Sequence, residues 1–543
     1  MSARFPIEVS IGAFAGILAL AAAAAPAPAV EIPRFVEETA TSGVSHQYDG
    51  GWEFFVGGGV AVLDCNGDGR PDLYIAGGAG VSVLYRNESA VGGALRFAPV
   101  PDSGAEISDA LGAYPLDVDG DAITDLIVLR VGENIALRGL GGCRFERANE
   151  AWGFEGGAAW STSFSARWEQ GRAWPTLAIG NYVDREAAGS PWGTCSDNVL
   201  HRPAANDSGF DRPSALSPGY CSLSMLFSDW DRSGRADLRV ANDRHYYRGG
   251  EEQLWRLPPG EPPELYTRAD GWKKLVVWGM GLAGHDLTGD GYPEYVVTSM
   301  GDNKVQSLVS AFQGPAYEDI ALSRGLTAHR PFTGGDIQPS TGWHAEFQDV
   351  NNDGLIDLFI AKGNVEEMPE AAMRDPNNLL MGQPDGTFIE GAEQAGIISY
   401  ARGRGAALAD LNLDGMPDLV VVNRRDPVQL WRNAGRGDAA NPVPIGNWLA
   451  LRLRQSGGNR DAVGAWVEVK AGGRVQRREI TVGGGHAGGT LGWVHLGLGS
   501  EATAEVRVEW PGGRTGEWIP VQANRFFVIE RERNGARRWV PVM

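Results

Sequence analysis

Cysteine, histidine and long apolar runs are all scarce in this sequence. Its 543 residues hold 4 cysteines and 8 histidines. No HExxH helix, nucleophile elbow or phosphate loop occurs, so the signatures of zinc hydrolysis, serine acyl transfer and nucleotide binding are missing. No histidine accompanies any cysteine, which argues against a catalytic thiol. Lys and Arg number 48 against 68 Asp and Glu, a formal charge of −20, and the basic residues form no stripe. That excludes nucleic acid as a partner, since its affinity rests on clustered cations.

One apolar run is long. Residues 11–25 stand behind Arg4 and ahead of Ala-Pro-Ala-Pro-Ala. A membrane span needs about 20 apolar residues, and Glu8 and the prolines leave this run short. Residues 1–30 read as a secretory signal peptide, cut between Ala25 and Val30. The remainder offers no membrane span, and the mature protein is expected to be secreted, extracellular or periplasmic. Four cysteines suit such an oxidising compartment.

Aspartate at fixed spacing is what the chain has in abundance. Residues 61–76, AVLDCNGDGRPDLYIA, carry Asp64, Asn66, Asp68 and Asp72 between two apolar strands. These are positions one, three, five and nine of a loop turned at Gly69. Calcium takes six to eight oxygens, which alternate residues of such a loop supply. A metal-free Asp/Gly turn is the plain alternative for one copy. The pattern recurs as Asp117, Asp119, Asp121 and Asp125, then as Asp229, Asp231, Ser233 and Asp237. It returns as Asp286, Thr288, Asp290 and Glu294, as Asp349, Asn351, Asp353 and Asp357, and as Asp410, Asn412, Asp414 and Asp418. Six copies read as several structural Ca2+ loops. They differ from an EF-hand in lacking Glu at position twelve and in leading to a strand. They hold 19 of the acidic residues, so the formal charge outside them is near zero and the acidity is not a steering surface. Ser233 and Thr288 are poorer donors than carboxylates, and Ala122 stands where the second copy needs its turn glycine.

The loops start at 64, 117, 229, 286, 349 and 410, so one step of 112 is twice the usual length. A repeat that lost its signature belongs near residue 170, where Trp168, Gln170, Arg172 and Thr176 replace the oxygens. Either Arg172 fills the cation's place or the motif has simply decayed. Seven repeats of four short strands predict an all-β, seven-bladed β-propeller. An aromatic residue followed by Gly eight positions on closes blades at Phe145, Tyr317 and Phe388, and recurs at Phe35 ahead of the first loop. The last blade stops after its third strand at Gln429-Leu430-Trp431-Arg432-Asn433, so residues 34–39 are expected to supply its outer strand. In that geometry Cys195 pairs with Cys221 and Cys65 with Cys143, a free thiol at Cys65 being the alternative.

Past residues 437–448 the loop motif stops and strict alternation begins, as in Ala504-Glu505-Val506-Arg507-Val508-Glu509-Trp510. About seven short strands predict a small β-sandwich. The expected division is a leader at 1–30, a propeller at 31–436, a linker at 437–447, a sandwich at 448–535 and a tail at 536–543.

The loops resemble the FG-GAP/VCBS repeats of integrin α-chain propellers. Asn459-Arg460-Asp461-Ala462-Val463-Gly464-Ala465, Gly483-Gly484-Gly485-His486, His495-Leu496-Gly497-Leu498-Gly499 and Trp510-Pro511-Gly512-Gly513 resemble the ASPIC/UnbV domain. In that order, with Ser42-Gly43-Val44-Ser45-His46 before the first blade, the chain resembles the cartilage acidic protein family and its bacterial relatives. The resemblance implies an extracellular or periplasmic calcium-bearing propeller and little about activity. Gly488-Gly489 departs from the Ser-Gln that relatives often carry there.

Two functional readings follow. The first is a ligand-binding or adhesion module, whose propeller face opposite the loops takes a protein, glycan or small-molecule ligand. Trp52, Trp160, Trp278, His46, Trp343, His344 and Arg404 are the candidates for that face. The alternative for each Trp is packing between blades. The second reading is an enzyme of natural-product, enediyne-type biosynthesis with its active site on the same face. His46, His344 and nearby carboxylates would supply acid–base chemistry, but no catalytic set is identifiable.

Overall fold

The computed structural model describes residues 30–541, apart from 245, 246, 248 and 534. The expected leader, except Val30, lies outside the described residues. The regular structure is almost all strand, and ahead of the C-terminal part it forms seven four-stranded antiparallel groups. Their first strands are Val60–Leu63, Ala110–Leu116, Ser161–Arg167, Ser222–Ser228, Leu282–His285, Gly342–Gln348 and Arg402–Ala409. Neighbouring first strands touch directly, and the seventh returns to the first: Gly405 N donates to Gly58 O at 3.0 Å and Gly59 N to Leu111 O at 2.9 Å. The meanders thus stand round an axis as the blades of a propeller.

Burial follows position in the blade. Several first strands, such as Ala110–Leu116 and Ser222–Ser228, are buried at every residue because a blade covers each face. The outer strand Arg144–Arg147 buries Phe145 alone. The seventh blade closes as expected, with Phe35–Glu37 against Gln429–Asn433 and Phe35 opposite Asn433. Glu38, just beyond, accepts from Arg432 Nε at 2.9 Å and from Leu95 N at 2.7 Å. One carboxylate therefore ties the closing strand to blades seven and one.

The C-terminal part is the expected two-sheet sandwich. In one sheet Asn447–Arg454 lies between Val494–Gly499 and Arg525–Glu530. In the other Trp466–Ala471 lies between Arg474–Glu479 and Thr503–Trp510. Leu449, Leu451, Val467, Val469, Leu496, Val506 and Ile529 share one core between them. Residues 536–543, expected as a tail, contribute a further strand: Ala536–Trp539 pairs with Arg525–Glu530 and covers an edge otherwise left open. Trp539 also packs on Trp493 and Phe526.

The division into separate units fails at one place. Val482–Gly483 leaves the sandwich and pairs with Ser161–Arg167 and with Leu226, fusing blades three and four into one nine-stranded sheet. Residues 484–490 continue along the propeller axis. Gly484 N donates to Met225 O at 2.6 Å, Gly485 N to Leu282 O at 2.7 Å, and Val62 N to Gly489 O at 3.0 Å. A Cβ on Gly59 would sit 1.7 Å from Ala487 O, and one on Gly112 1.6 Å from it. Glycine stands there because backbone meets backbone.

Two outcomes are expected. The substitution Gly112→Ala forces that contact apart. It should lower stability by roughly 1–3 kcal/mol, the usual cost of overpacking, and expose the sandwich to limited proteolysis. A variant with wild-type urea midpoint and cleavage pattern would contradict the packing. Deleting residues 34–40 should leave the Gln429–Asn433 edge open, giving aggregates on size exclusion or a non-cooperative melt; a stable monomer would show that this strand is dispensable.

Candidate functional site

The six acidic loops share one internal scaffold. Each joins the first and second strands of its blade. The position-one aspartate accepts backbone N–H groups from across its own turn. Asp64 takes Gly67 and Gly69, Asp117 takes Gly120 and Ala122, and Asp410 takes Asp414 and Gly415. In four loops the position-nine aspartate reaches both ways. Asp72 accepts from Cys65 N and Asn87 N, Asp125 from Val118 N and Gly139 N, Asp357 from Val350 N and Gly382 N, and Asp418 from Leu411 N and Asn433 N. Position nine thus binds the third strand of the blade to its first turn, a role the residue spacing did not announce. Asp237 accepts instead from Trp230 Nε1 and the Tyr266 hydroxyl, and Glu294 from Leu287 N and Ser307 Oγ.

Positions four and six are both left-handed. Ala122 has φ 72° as expected for a residue in a glycine's place, while Arg232, Asn352 and Leu413 at position four have φ 56°, 62° and 59°. Such conformations cost a non-glycine residue about 1–2 kcal/mol, and the aspartate–amide bonds hold them.

Burial, reinforced by neighbouring carboxylates, makes the charged loops unfavourable. Asp72, Asp117 and Asp229 are pushed up to about 7, Asp125 to about 8 and Asp414 to about 6. Asp349, Asp357, Asp410 and Asp418 rise well above the carboxylate range, burial being the main cause. The carboxylates of Asp117, Asp119 and Asp121 gather within 4.8 Å of one another.

Arginines answer part of this charge. Arg138 pairs with Asp119 at 2.7 Å and Asp121 at 2.8 Å. From the sandwich, Arg452 reaches Asp64 at 3.2 Å and Arg477 reaches Asp286 at 3.1 Å. The sandwich therefore sits on the loop face. Trp493 Nε1 donates to Gly69 O at 2.9 Å and His495 Nε2 lies 2.6 Å from Asn352 Oδ1. Among the described residues no Lys or Arg pairs with the carboxylates of the sixth and seventh loops. Arg474 near Asp353 and Arg432 near Asp414 act at longer range only, and the buried all-oxygen donor sets fit a hard cation. In the third blade Arg172 points to the third turn instead, pairing with Asp207 at 3.2 Å and donating to Pro203 O at 3.0 Å.

The candidates for the opposite face are mostly internal. Trp343 is fully buried and donates to Gly363 O at 2.7 Å. Arg404, also fully buried, lies 4.2 Å over the Trp343 ring and donates to the carbonyls of Phe55 and Asn364. His344 Nδ1 accepts from His486 N at 3.0 Å and its Nε2 lies 3.3 Å from Glu346. His46 is half-buried against Ala76 O at 2.9 Å. Trp160 is buried, whereas Trp52, Trp192 and Trp278 stay 41%, 67% and 39% exposed. With the axis filled by residues 484–490, side chains expected to rim a channel pack round a plug. Cys65–Cys143 and Cys195–Cys221 are both bonded.

Comparison with known proteins agrees with this geometry. A family model described as FG-GAP-like repeat matches residues 64–128 and 349–421, and one described as ASPIC and UnbV matches 455–536. The chain is an FG-GAP-repeat propeller carrying an ASPIC and UnbV domain. Over part of its length it is similar to cartilage acidic protein 1 of three vertebrates. Cartilage acidic protein 1 of Mus musculus is 31% identical over 222 residues, covering 39% of this chain and 32% of that protein. The Xenopus tropicalis protein of that name is 44% identical over 227 residues, covering 39% and 32%, and the Homo sapiens one 44% over 117 residues, covering 21% and 15%. The chain thus spans a third or less of the length of these relatives. A solved structure of BBS1N in complex with ARL6DN is similar at TM-score 0.40 and 11% identity, over 74% of this chain and 97% of that one.

The raised carboxylates set the pH response of the cation-free protein. Their folded forms hold protons that the unfolded chain has already released near pH 4. Stability from this source is full below pH 4 and is lost as pH rises through 6 to 8. Chelated protein should therefore melt higher at pH 5 than at pH 8, until other groups titrate. A flat melting temperature across that window would contradict the burial of these groups.

Proposed function

We propose that the protein is a secreted or periplasmic calcium-binding propeller acting as a ligand-binding or adhesion module. The observation that carries it is the pair of buried carboxylate loops in blades six and seven, which form no direct ion pair with Lys or Arg among the described residues. Asp349, Asn351, Asp353 and Asp357, and likewise Asp410, Asn412, Asp414 and Asp418, would hold the ion. Calcium supplies the charge compensation that these loops otherwise lack. The chain's own residues fix the loop, since the position-one and position-nine aspartates bind backbone amides on either side of the ion's place. The two disulfides support an oxidising compartment.

The ligand surface in this reading is the face away from the sandwich. There Trp52 leans edge-on against Trp160 at 5.0 Å, and Arg244 lies 4.7 Å over Trp192. Exposed indoles beside a guanidinium suit a protein or glycan surface.

Chelation tests the cation. Excess EGTA should lower the melting temperature and calcium should restore it, with magnesium far less effective. A site filled at 100 times its dissociation constant is worth about 2.7 kcal/mol. The double variant D410N/D414N should lose part of that response. Unchanged melting in chelator, with elemental analysis finding no metal, would defeat the reading. For the ligand face, W52A and W192A should weaken capture on a glycan and matrix-protein array by tenfold or more while leaving the melt intact; capture by both variants at wild-type strength would move the site elsewhere.

A further inference from the structure

A half-open cavity of about 200 Å³ lies where the sandwich meets the first strands of blades four to seven. It is separate from the ligand face, and Asp410 of the seventh loop is part of its lining. Four arginines line it. Arg452 is paired with Asp64, Arg454 with Asp461, and Arg477 with Asp286 and Glu468. Among the described residues Arg478 has no carboxylate partner, and its one hydrogen-bond acceptor is Gln348 Oε1 at 3.2 Å. A guanidinium carries five N–H donors in a planar fork suited to oxyanions. Arg478 is half-buried, and a partly desolvated guanidinium without an ion-pair partner gains from an anion in the cavity.

The cavity also supplies an acceptor. Glu346 is close enough for its charge to act on Arg478, yet the two form no ion pair. Its Oε2 accepts from Leu408 N at 3.0 Å and faces His344 Nε2 at 3.3 Å. Its Oε1 makes no bond to the protein among the described residues. The His285 ring, tilted against Phe347 with centroids 5.7 Å apart, lines the same space without a hydrogen-bond partner among the described residues. The wall thus offers a cationic fork, a free carboxylate oxygen and an imidazole, in a space of about 200 Å³.

We propose that this cavity binds a small oxyanion that also carries a hydrogen-bond donor. The oxyanion sits on Arg478 and the donor on Glu346 Oε1. An organic hydroxy acid and inorganic hydrogen phosphate share that chemistry.

Calorimetric titration of the full chain decides between them, with glycolate, inorganic phosphate and acetate as probes at ionic strength matched by chloride. Saturable binding of glycolate or phosphate is expected, and whichever binds names the source. Acetate, with no donor for Glu346, should bind at least fivefold more weakly. Arg478→Lys keeps the charge but loses the fork, and should weaken binding tenfold or more. Should that variant fail to fold, Gln348→Ala, which frees Arg478 from its one anchor, should weaken binding at least threefold. The proposal is overturned if no probe binds beyond the chloride control, or if a folded variant at Arg478 or Gln348 binds as wild type does.

Discussion

Everything in this molecule depends on a contact between backbones. Gly59, just ahead of the first strand of blade one, and Gly112, on that of blade two, meet the carbonyl of Ala487 closely enough that no side chain fits between. A propeller with open centre would leave inner-strand amides facing water along a narrow shaft. Here residues 482–491 take those hydrogen bonds, donating to blades four and five and accepting from blade one. The ASPIC and UnbV domain is therefore a structural member of the propeller. The exposed area of either part alone misstates what that part buries.

The same docking explains the charge distribution. The loop face is where carboxylates accumulate, and it is also where the sandwich sits. Arg452 and Arg477 come down onto Asp64 and Asp286, while Arg460 donates to Ala122 O. One means of neutralising a buried carboxylate is an arginine brought by another domain; a cation, in the function proposed above, is the other. Blade three uses neither. Its loop is braced by Asp207, which pairs with Arg172 and accepts from Ala173 N.

Much of this was legible in the residues. The Asp-x-Asn/Asp-x-Asp spacing is local and periodic, so the loop positions and the missing third signature could be read from it, while the aromatic-to-Gly pattern at Phe35 and the short last blade pointed to the closing strand at Phe35–Glu37. The plug could not. Gly483-Gly484-Gly485-His486 looks like a flexible turn of a small domain, because nothing in a glycine run tells what will press against it. The partner glycines lie some 370 to 430 positions away. The burial of Trp343, His344 and Arg404 has the same root. A strand start at a propeller mouth faces solvent only when the axis is empty. Arg478 was passed over because, in sequence, it is one of several alternating charges on an edge strand; its isolation from carboxylates is a property of the folded wall. The strand Ala536–Trp539 was missed for a simpler reason, since a short run of Arg and Trp at the end of a chain has no clear period.

Filling the axis from the far end of the chain has a consequence for how the protein is made. Blade seven needs a strand from near residue 35, and the inner strands need a loop from near residue 487. Neither can be satisfied until almost the whole polypeptide has emerged. Pairings of such long separation are slow to form and leave unpaired edges exposed meanwhile. A nascent or truncated chain therefore presents both an unfinished outer edge and a hydrated shaft. Its completeness is something a chaperone or protease at the site of synthesis can read directly.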